Sequence, residues 1–244
     1  MREDGGATVR KTFHRGPQAA RERQAREEFA RLQRFAAALA GVPGVGCPRP
    51  LELLADPPGL RMAYVPGTNL FELLGGRRID AAAGARLAEL IAAGVAAYVG
   101  ALGEPLPDFK FDNLLWDDGA ATLAFVDFGP PQDAVAPAPG LSPYEVSAGD
   151  MLGSVVFQSA RPRHALDRGR HARSVALAVA VVRALRAAGA GPLRDGELAA
   201  ATSAAYRRCA LGRNARRTAW YATAGYALGR RIALDSVTVG PVLR

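Results

Sequence analysis

Apolar residues fall at helical spacing from Pro17 to Leu39. Phe29, Leu32, Phe35 or Ala36, and Leu39 line one face there, and arginines and glutamates occupy the other. The stretch "GVPGVGCPRP" ends that pattern with glycines and prolines. Ahead of the helix, "ATVRKTF" alternates like a strand, with Val9, Lys11 and Phe13 on one side. Two further apolar runs, "LELLA" and "LRMAYV", flank "DPPG" and read as a hairpin. "PGTN" is a loop able to cap a helix over "LFELL". Residues 81 to 102 predict a long alanine-rich helix with few charges, the pattern of a buried one. "PPQDAVAPAPGLSP" is a proline-rich loop without periodicity. From Tyr144 onward the chain is mostly helical, with "SVALAVAVVRALRAAG" apolar enough for a core helix. No internal repeat interrupts this order. The fold class is α+β: a small front section of antiparallel strands and one helix, residues 1 to 65, and a larger, mainly helical section, residues 66 to 244.

The densest polar pattern lies in "PDFKFDNLLWDDGAATLAFVDFGPP", residues 107 to 131. Leu114 to Trp116 and Thr122 to Val126 are strand-like runs around Asp118-Gly119, a strong hairpin signal. Pairing Trp116 with Ala124 sets Asn113 opposite Asp127, and opposed residues have Cβ atoms roughly 5 Å apart. Asp108 lies in the loop just before. An amide oxygen and carboxylates so placed make a hard-oxygen site suited to Mg2+ with room for phosphate oxygens. Asn and Asp are also ordinary turn and strand-end residues. Their conjunction around one hairpin is what points to a ligand.

Composition narrows the classes. A hydrophobic content of 49% with 22% charged residues, over 244 residues, fits a globular chain with a real core and not a disordered one. Cys47 and Cys209 have no spacing for a disulfide framework or zinc. His14, His164 and His171 lack metal-ligand spacing, and there is no nucleophile elbow. No charged segment leads into an apolar one at the start, and "LIAAGVAAYVGALG" from Leu90 is short for a bilayer. The expected location is the cytoplasm, without a membrane partner. The net charge of +8 is scattered along the chain, as an arginine-rich composition gives. "RRCALGRNARRTAWYATAGYALGRR" interleaves basic and aromatic residues as nucleic-acid-binding segments do. Trp220, Tyr221 and Tyr226 read better as packing a terminal helix on the core, which leaves nucleic acid the least expected partner.

"DFKFDN" followed by "VDFG" resembles the catalytic and metal-binding loops of the protein-kinase-like superfamily. That superfamily includes eukaryotic-type protein kinases and the aminoglycoside and choline phosphotransferases. The resemblance runs over roughly residues 7 to 155. It implies a two-lobed protein-kinase-like fold, with residues 1 to 65 as a partial N-lobe and 66 to 244 as the C-lobe, acting with ATP and Mg2+. On the matching positions, Asp108 would take the proton of the acceptor hydroxyl. Asn113 and Asp127 would hold Mg2+, and Lys110 would neutralise the transferring phosphoryl group. "TVRKTF" resembles the strand whose lysine, here Lys11, holds the α and β phosphates, with a partner glutamate in the next helix. Glu28 shares the face of Leu32, Phe35 and Leu39. Glu27, aligned with Arg31 and Arg34 on the solvated side, is the second choice. "LRMAYVPGTNL" resembles the hinge between lobes, so adenine would meet the backbone of Ala63 and Val65 with Met62 behind it. Asp150 resembles a buried aspartate that begins a core helix and braces the catalytic loop, and a plain helix N-cap accounts for it as well.

The chain also departs from that pattern. Ten residues precede Lys11, and Gly5-Gly6 offers no hairpin there, so the glycine-rich loop over the phosphates is expected to be missing and the N-lobe shortened. Leu106 replaces the family's histidine, which implies a different bracing of the loop. Pro107 stands where regulated protein kinases carry arginine, against control by a phosphorylated loop. The short proline-rich segment between Asp127 and Asp150 favours a small-molecule hydroxyl acceptor, whereas Lys110 favours a protein Ser/Thr. The expectation is an ATP- and Mg2+-dependent phosphotransferase. The alternative is a catalytically inactive kinase-like module that binds a nucleotide or a partner.

Overall fold

The computed structural model describes residues 2–3, 7–76, 79–129, 139–159 and 167–210. They form a mixed α+β arrangement with two four-stranded sheets. The front of the chain gives β1 (Arg2–Glu3), β2 (Thr8–Thr12), α1 (Gln18–Leu39), β3 (Val45–Gly46), β4 (Pro50–Leu54) and β5 (Gly59–Ala63). Next come β6 (Thr68–Asn69), α2 (Leu70–Gly76), α3 (Ala81–Leu102), β7 (Leu114–Asp117) and β8 (Thr122–Phe125). The helices α4 (Pro143–Ser159), α5 (Arg168–Ala187) and α6 (Asp195–Ala210) follow. The basic aromatic stretch containing Trp220, Tyr221 and Tyr226 lies outside the described residues.

The first sheet has the order β1-β2-β5-β4 and is antiparallel throughout. The β4–β5 hairpin forms where "DPPG" reverses the chain. Ahead of Lys11, Arg2 and Glu3 pair with Val9 and Thr8. A short antiparallel pairing therefore does precede Lys11, contrary to the reading of that stretch as hairpin-free. The open edge of β2 supplies the ladder positions for it. The second sheet has the order β3-β8-β7-β6, with β3 parallel to β8. Because β3 comes from before residue 66, the front and helical sections share this sheet.

Each long helix begins and packs for a readable reason. In α1 the buried stripe is Ala25, Glu28, Leu32, Phe35 and Leu39, at helical spacing. The start of α3 is capped by Asp80, whose Oδ1 accepts from the Ala83 amide at 2.8 Å. The run from Leu90 belongs to this 22-residue helix, which is long and apolar enough to cross a membrane by length and composition. Its Leu87, Leu90, Ile91, Val95 and Tyr98 are instead buried in the core. A Cβ at Gly94 would stand 2.2 Å from the Phe125 ring, so only glycine lets α3 press on β8 this closely.

Ser142 and Glu145 start α4 with a reciprocal capping box. The Glu145 amide donates to Ser142 Oγ at 3.1 Å, and the Ser142 amide donates to Glu145 Oε2 at 2.8 Å. Pro143 at the first helical position suits the same start. As expected, "PGTN" caps the next helix: Asn69 Oδ1 accepts from the Phe71 and Glu72 amides at 3.0 and 3.3 Å. The predicted core helix is α5, with Leu177, Ala178, Val181, Val182 and Leu185 buried.

An aromatic cluster joins these elements beneath the candidate site. Phe35 meets Tyr98, Phe125 and Phe128 edge-on at 5.1, 5.7 and 5.2 Å between ring centroids. Burying a side chain of this size contributes about 1.5–3 kcal/mol, and the edge-to-face geometry adds to it. The cluster fixes α1 and α3 to the two ends of the Phe125–Phe128 segment.

Candidate active site

Two charged groups stand on that aromatic floor. The first joins parts of the chain distant in sequence. Lys11, next to last in β2, donates to Glu28 Oε1 and Oε2 at 2.7 and 2.9 Å and also pairs with Asp127. Glu28 is only 1% exposed, whereas Glu27 is exposed and faces Arg23, so the first choice for the Lys11 partner is the one that meets it. Burial works against the charge of Lys11, yet Glu28 and Asp127 outweigh it and hold its pKa above the ordinary value. Burial raises the Glu28 pKa, against the opposing pull of Lys11. A Cβ on Gly129 would sit 3.1 Å from Glu28 Oε2 and 3.4 Å from Lys11 Nζ, so the chain after Asp127 passes close over this pair.

The second group is local. Phe109 and Phe111 are buried, and their alternation with Asp108 and Lys110 turns the charged residues away from the core. Lys110 pairs with Asp108. Asn113 donates its amide nitrogen to the Asp108 carbonyl at 2.9 Å and to Asp108 Oδ2 at 3.3 Å. Residues Phe111–Asn113 form a single 3-10 turn. The loop is pinned at Asp112, whose carbonyl accepts from Asn69 and whose carboxylate accepts from Gln158. Asp108 and Asp127 both adopt left-handed backbone, with φ of 48° and 62°. A non-glycine residue holds such a conformation only where its surroundings over-determine it, and functional sites are enriched in such residues.

The hairpin joins the groups in a register shifted from the expected one. Trp116 pairs with Leu123 and Leu115 with Ala124, so Trp116 does not face Ala124. Asn113 is therefore opposite Val126, whose amide donates to the Asn113 carbonyl at 2.9 Å, and Asp127 lies one residue beyond. Asp117 is the cause. Its Oδ1 accepts from the Gly119 and Ala120 amides at 3.0 and 3.2 Å, and Ala121 turns with φ 51°. These bonds build a longer loop than an Asp-Gly turn. The left-handed turn at Asp127 then carries its carboxylate to Lys11.

Two residues differ from their expected roles. Asp150 neither caps nor begins a helix, because α4 starts earlier at Pro143. It pairs with Arg208 of α6. Burial and the nearby Asp108 push its pKa up to about 6 against the pull of Arg208. The brace on the segment leading to Asp108 comes instead from Ser147, wholly buried. Its Oγ accepts from the Leu106 amide at 2.9 Å and donates to the Pro143 carbonyl at 2.8 Å. Arg31, assigned to the solvated side, is 17% exposed and donates to the Phe128 carbonyl at 3.0 Å. The sequence carried a signal for it: Arg31 is three residues after Glu28 and four before Phe35, in the same row.

The hinge candidates lie at the end of β5. Met62 is half-buried between Val9 of β2 and Pro50 of β4. The Ala63 amide donates to the Arg49 carbonyl at 2.9 Å, so its N–H is already engaged. Val65 lies just past the strand, half-buried.

The donor set fits a magnesium ion. Among the described residues no group of three or more His, Cys, Asp and Glu is placed to hold a metal. Mg2+ with bound phosphates needs only one or two protein oxygens. The Asn113 amide nitrogen is committed to Asp108, so its amide oxygen is the atom left as a donor, and Asp127 offers a carboxylate that here pairs with Lys11. No protein-family model matches the chain and no curated protein matches it significantly, so the chemistry rests on this geometry.

Proposed function

We propose that this protein is an ATP- and Mg2+-dependent phosphotransferase with a two-lobed protein-kinase-like fold, moving the γ-phosphoryl group to a hydroxyl acceptor. The observation that carries the reading is the meeting of Lys11, Glu28 and Asp127. They come from three separate stretches and were each assigned a phosphate- or metal-related role by the resemblance. In this reading Lys11, kept charged and aimed by Glu28, holds the α and β phosphates, and the backbone of Ala63 and Val65 meets adenine beside Met62. Asn113 and Asp127 hold Mg2+, which neutralises charge developing on the phosphate oxygens.

Asp108 orients the acceptor hydroxyl and accepts its proton as the acceptor oxygen bonds to the γ-phosphorus. The bond from that phosphorus to the β-phosphate oxygen breaks, and ADP leaves with the electron pair. Lys110, drawn to Asp108 in this structure, is within reach of the transferring group. The acceptor is a small molecule in preference to a protein Ser/Thr, because the segment from Asp127 to α4 is short for docking a peptide.

The direct pairing of Lys11 with Asp127 favours a second reading. It ties up the two groups that should receive phosphate and metal, as in an inactive kinase-like module that binds a nucleotide or a partner. ATP turnover with Mg2+ over a panel of hydroxyl acceptors, for wild type and Asp108→Ala, separates the two. Turnover lost in the variant supports the enzyme. Nucleotide binding without turnover on any acceptor supports the module.

A further inference from the structure

The turn that presents Asp127 is gripped twice from α1. Glu28 reaches it through Lys11, and Arg31, one helical turn later, reaches the next residue directly. The Arg31 guanidinium donates from Nη1 to the Phe128 carbonyl at 3.0 Å and from Nε to Glu104 Oε1 at 2.9 Å. Tyr98, wholly buried in α3, donates its hydroxyl to the same Glu104 oxygen at 2.9 Å. Burial alone would raise the Glu104 pKa, but the Arg31 and Tyr98 hydrogen bonds outweigh it and hold the carboxyl below its ordinary value. The Phe128 ring is seated on Phe35 and stacked with Tyr98, so ring and carbonyl are held by the same two helices.

We infer that Arg31, seated by Glu104 and Tyr98, is a positioning residue that locks the Asp127 turn to α1. Helix and turn then form one unit. A guanidinium suits the task because its rigid fork serves a carboxylate and a carbonyl at once, which an ammonium on a flexible stem does not. The lock explains how Asp127 keeps a left-handed backbone without glycine. For its effect on turnover the inference rests on the phosphotransferase reading; the lock itself does not.

Hydrogen–deuterium exchange over residues 124–129 tests it in wild type, Arg31→Ala, Arg31→Lys and Glu104→Gln. Arg31→Ala is expected to speed exchange there about tenfold, while peptides of α5 and α6 exchange as in wild type. Glu104→Gln shows a smaller rise at the same residues, and Arg31→Lys restores little. In turnover assays kcat falls by a similar factor with the acceptor KM unchanged. Unchanged exchange at 124–129 in Arg31→Ala, an equal rise through α5 and α6, or full protection in Arg31→Lys overturns the inference. If Arg31→Ala does not fold, Glu104→Gln and Tyr98→Phe preserve shape and decide the same question. If wild type turns over no acceptor, only the phosphotransferase reading falls, because the exchange comparison needs no activity.

Discussion

The Lys11–Glu28–Asp127 group and the Asp108–Lys110–Asn113 group are joined by the Asn113–Val126 hydrogen bond, yet they are built in opposite ways. One gathers three residues spread over 116 positions around a glutamate sealed from water. The other closes within six consecutive residues and has no sealed member: its Asp108 and Lys110 side chains are 29% and 27% exposed, against 1% for Glu28. The first is part of the fold's own stability. The second is held from below by Phe109, Phe111, Ser147 and Asn69, and its polar tips bond to one another. The contrast yields ordered expectations.

The largest effect falls on the local group and spares the fold. Asp108→Ala should lower phosphoryl transfer about 10²–10⁴-fold and shift stability by less than about 1 kcal/mol, read from turnover and urea unfolding. Loss of stability comparable to a core mutant would erase the distinction between the groups.

Glu28→Ala should do the reverse of sparing the fold. It leaves Lys11 half-buried with Asp127 alone, at a cost of about 3 kcal/mol in urea unfolding. Glu27→Ala, on the exposed side, should stay within about 0.5 kcal/mol. Equal effects of the two substitutions would contradict the assignment of Glu28.

Ser147→Ala strips the brace beneath the local group and leaves the buried Leu106 amide without its acceptor. A loss of about 1–3 kcal/mol is expected, with a fall in kcat at unchanged nucleotide affinity. Asp150→Asn should leave the Leu106 brace, and with it kcat, intact.

A further effect is on the pH profile. Hydrogen bonds from Arg194 and Ser142 outweigh burial and hold the Glu145 pKa down to about 2 from 4.5. Between those values the unfolded chain binds more protons, so the stabilisation is complete above pH 4.5 and fades as pH falls towards 2. Glu28 has the opposite sign: its raised pKa makes its contribution decline as pH rises above 4.5. Glu145→Gln should flatten the acid-side fall in unfolding free energy, and Glu28→Gln should not.

Legibility in the sequence follows the same division. The local group was readable because alternation of Phe109 and Phe111 with charged residues and the turn that follows are short-range rules. Glu28 was readable because it lies on the Leu32–Phe35–Leu39 face. The helices over 81–102 and in "SVALAVAVVRALRAAG" followed from composition and period alone. The approach of Lys11 to Asp127 depends on α1 packing against both the first sheet and α3, which no local pattern encodes; only the resemblance pointed to it. The hairpin register slipped by one because the Asp117 side chain captured two amides, a competition that strand periodicity does not register. Arg31 was misplaced because a charged residue beside a buried stripe looks solvated until Glu104, far along the chain, is brought to it. Ser147, not Asp150, meets Leu106 because the Ser142–Glu145 capping box starts α4 seven residues ahead of Asp150.

Calorimetric titration of ATP, with Mg2+ and with EDTA, into wild type, Lys11→Met and Asp127→Asn tests most directly whether the two groups form one nucleotide–metal site. Wild type should bind more tightly with Mg2+. Lys11→Met should lose affinity about tenfold or more, equivalent to about 1.4 kcal/mol, and Asp127→Asn should lose the difference between Mg2+ and EDTA. No binding of ATP, or one affinity shared by all three proteins in both conditions, would contradict it.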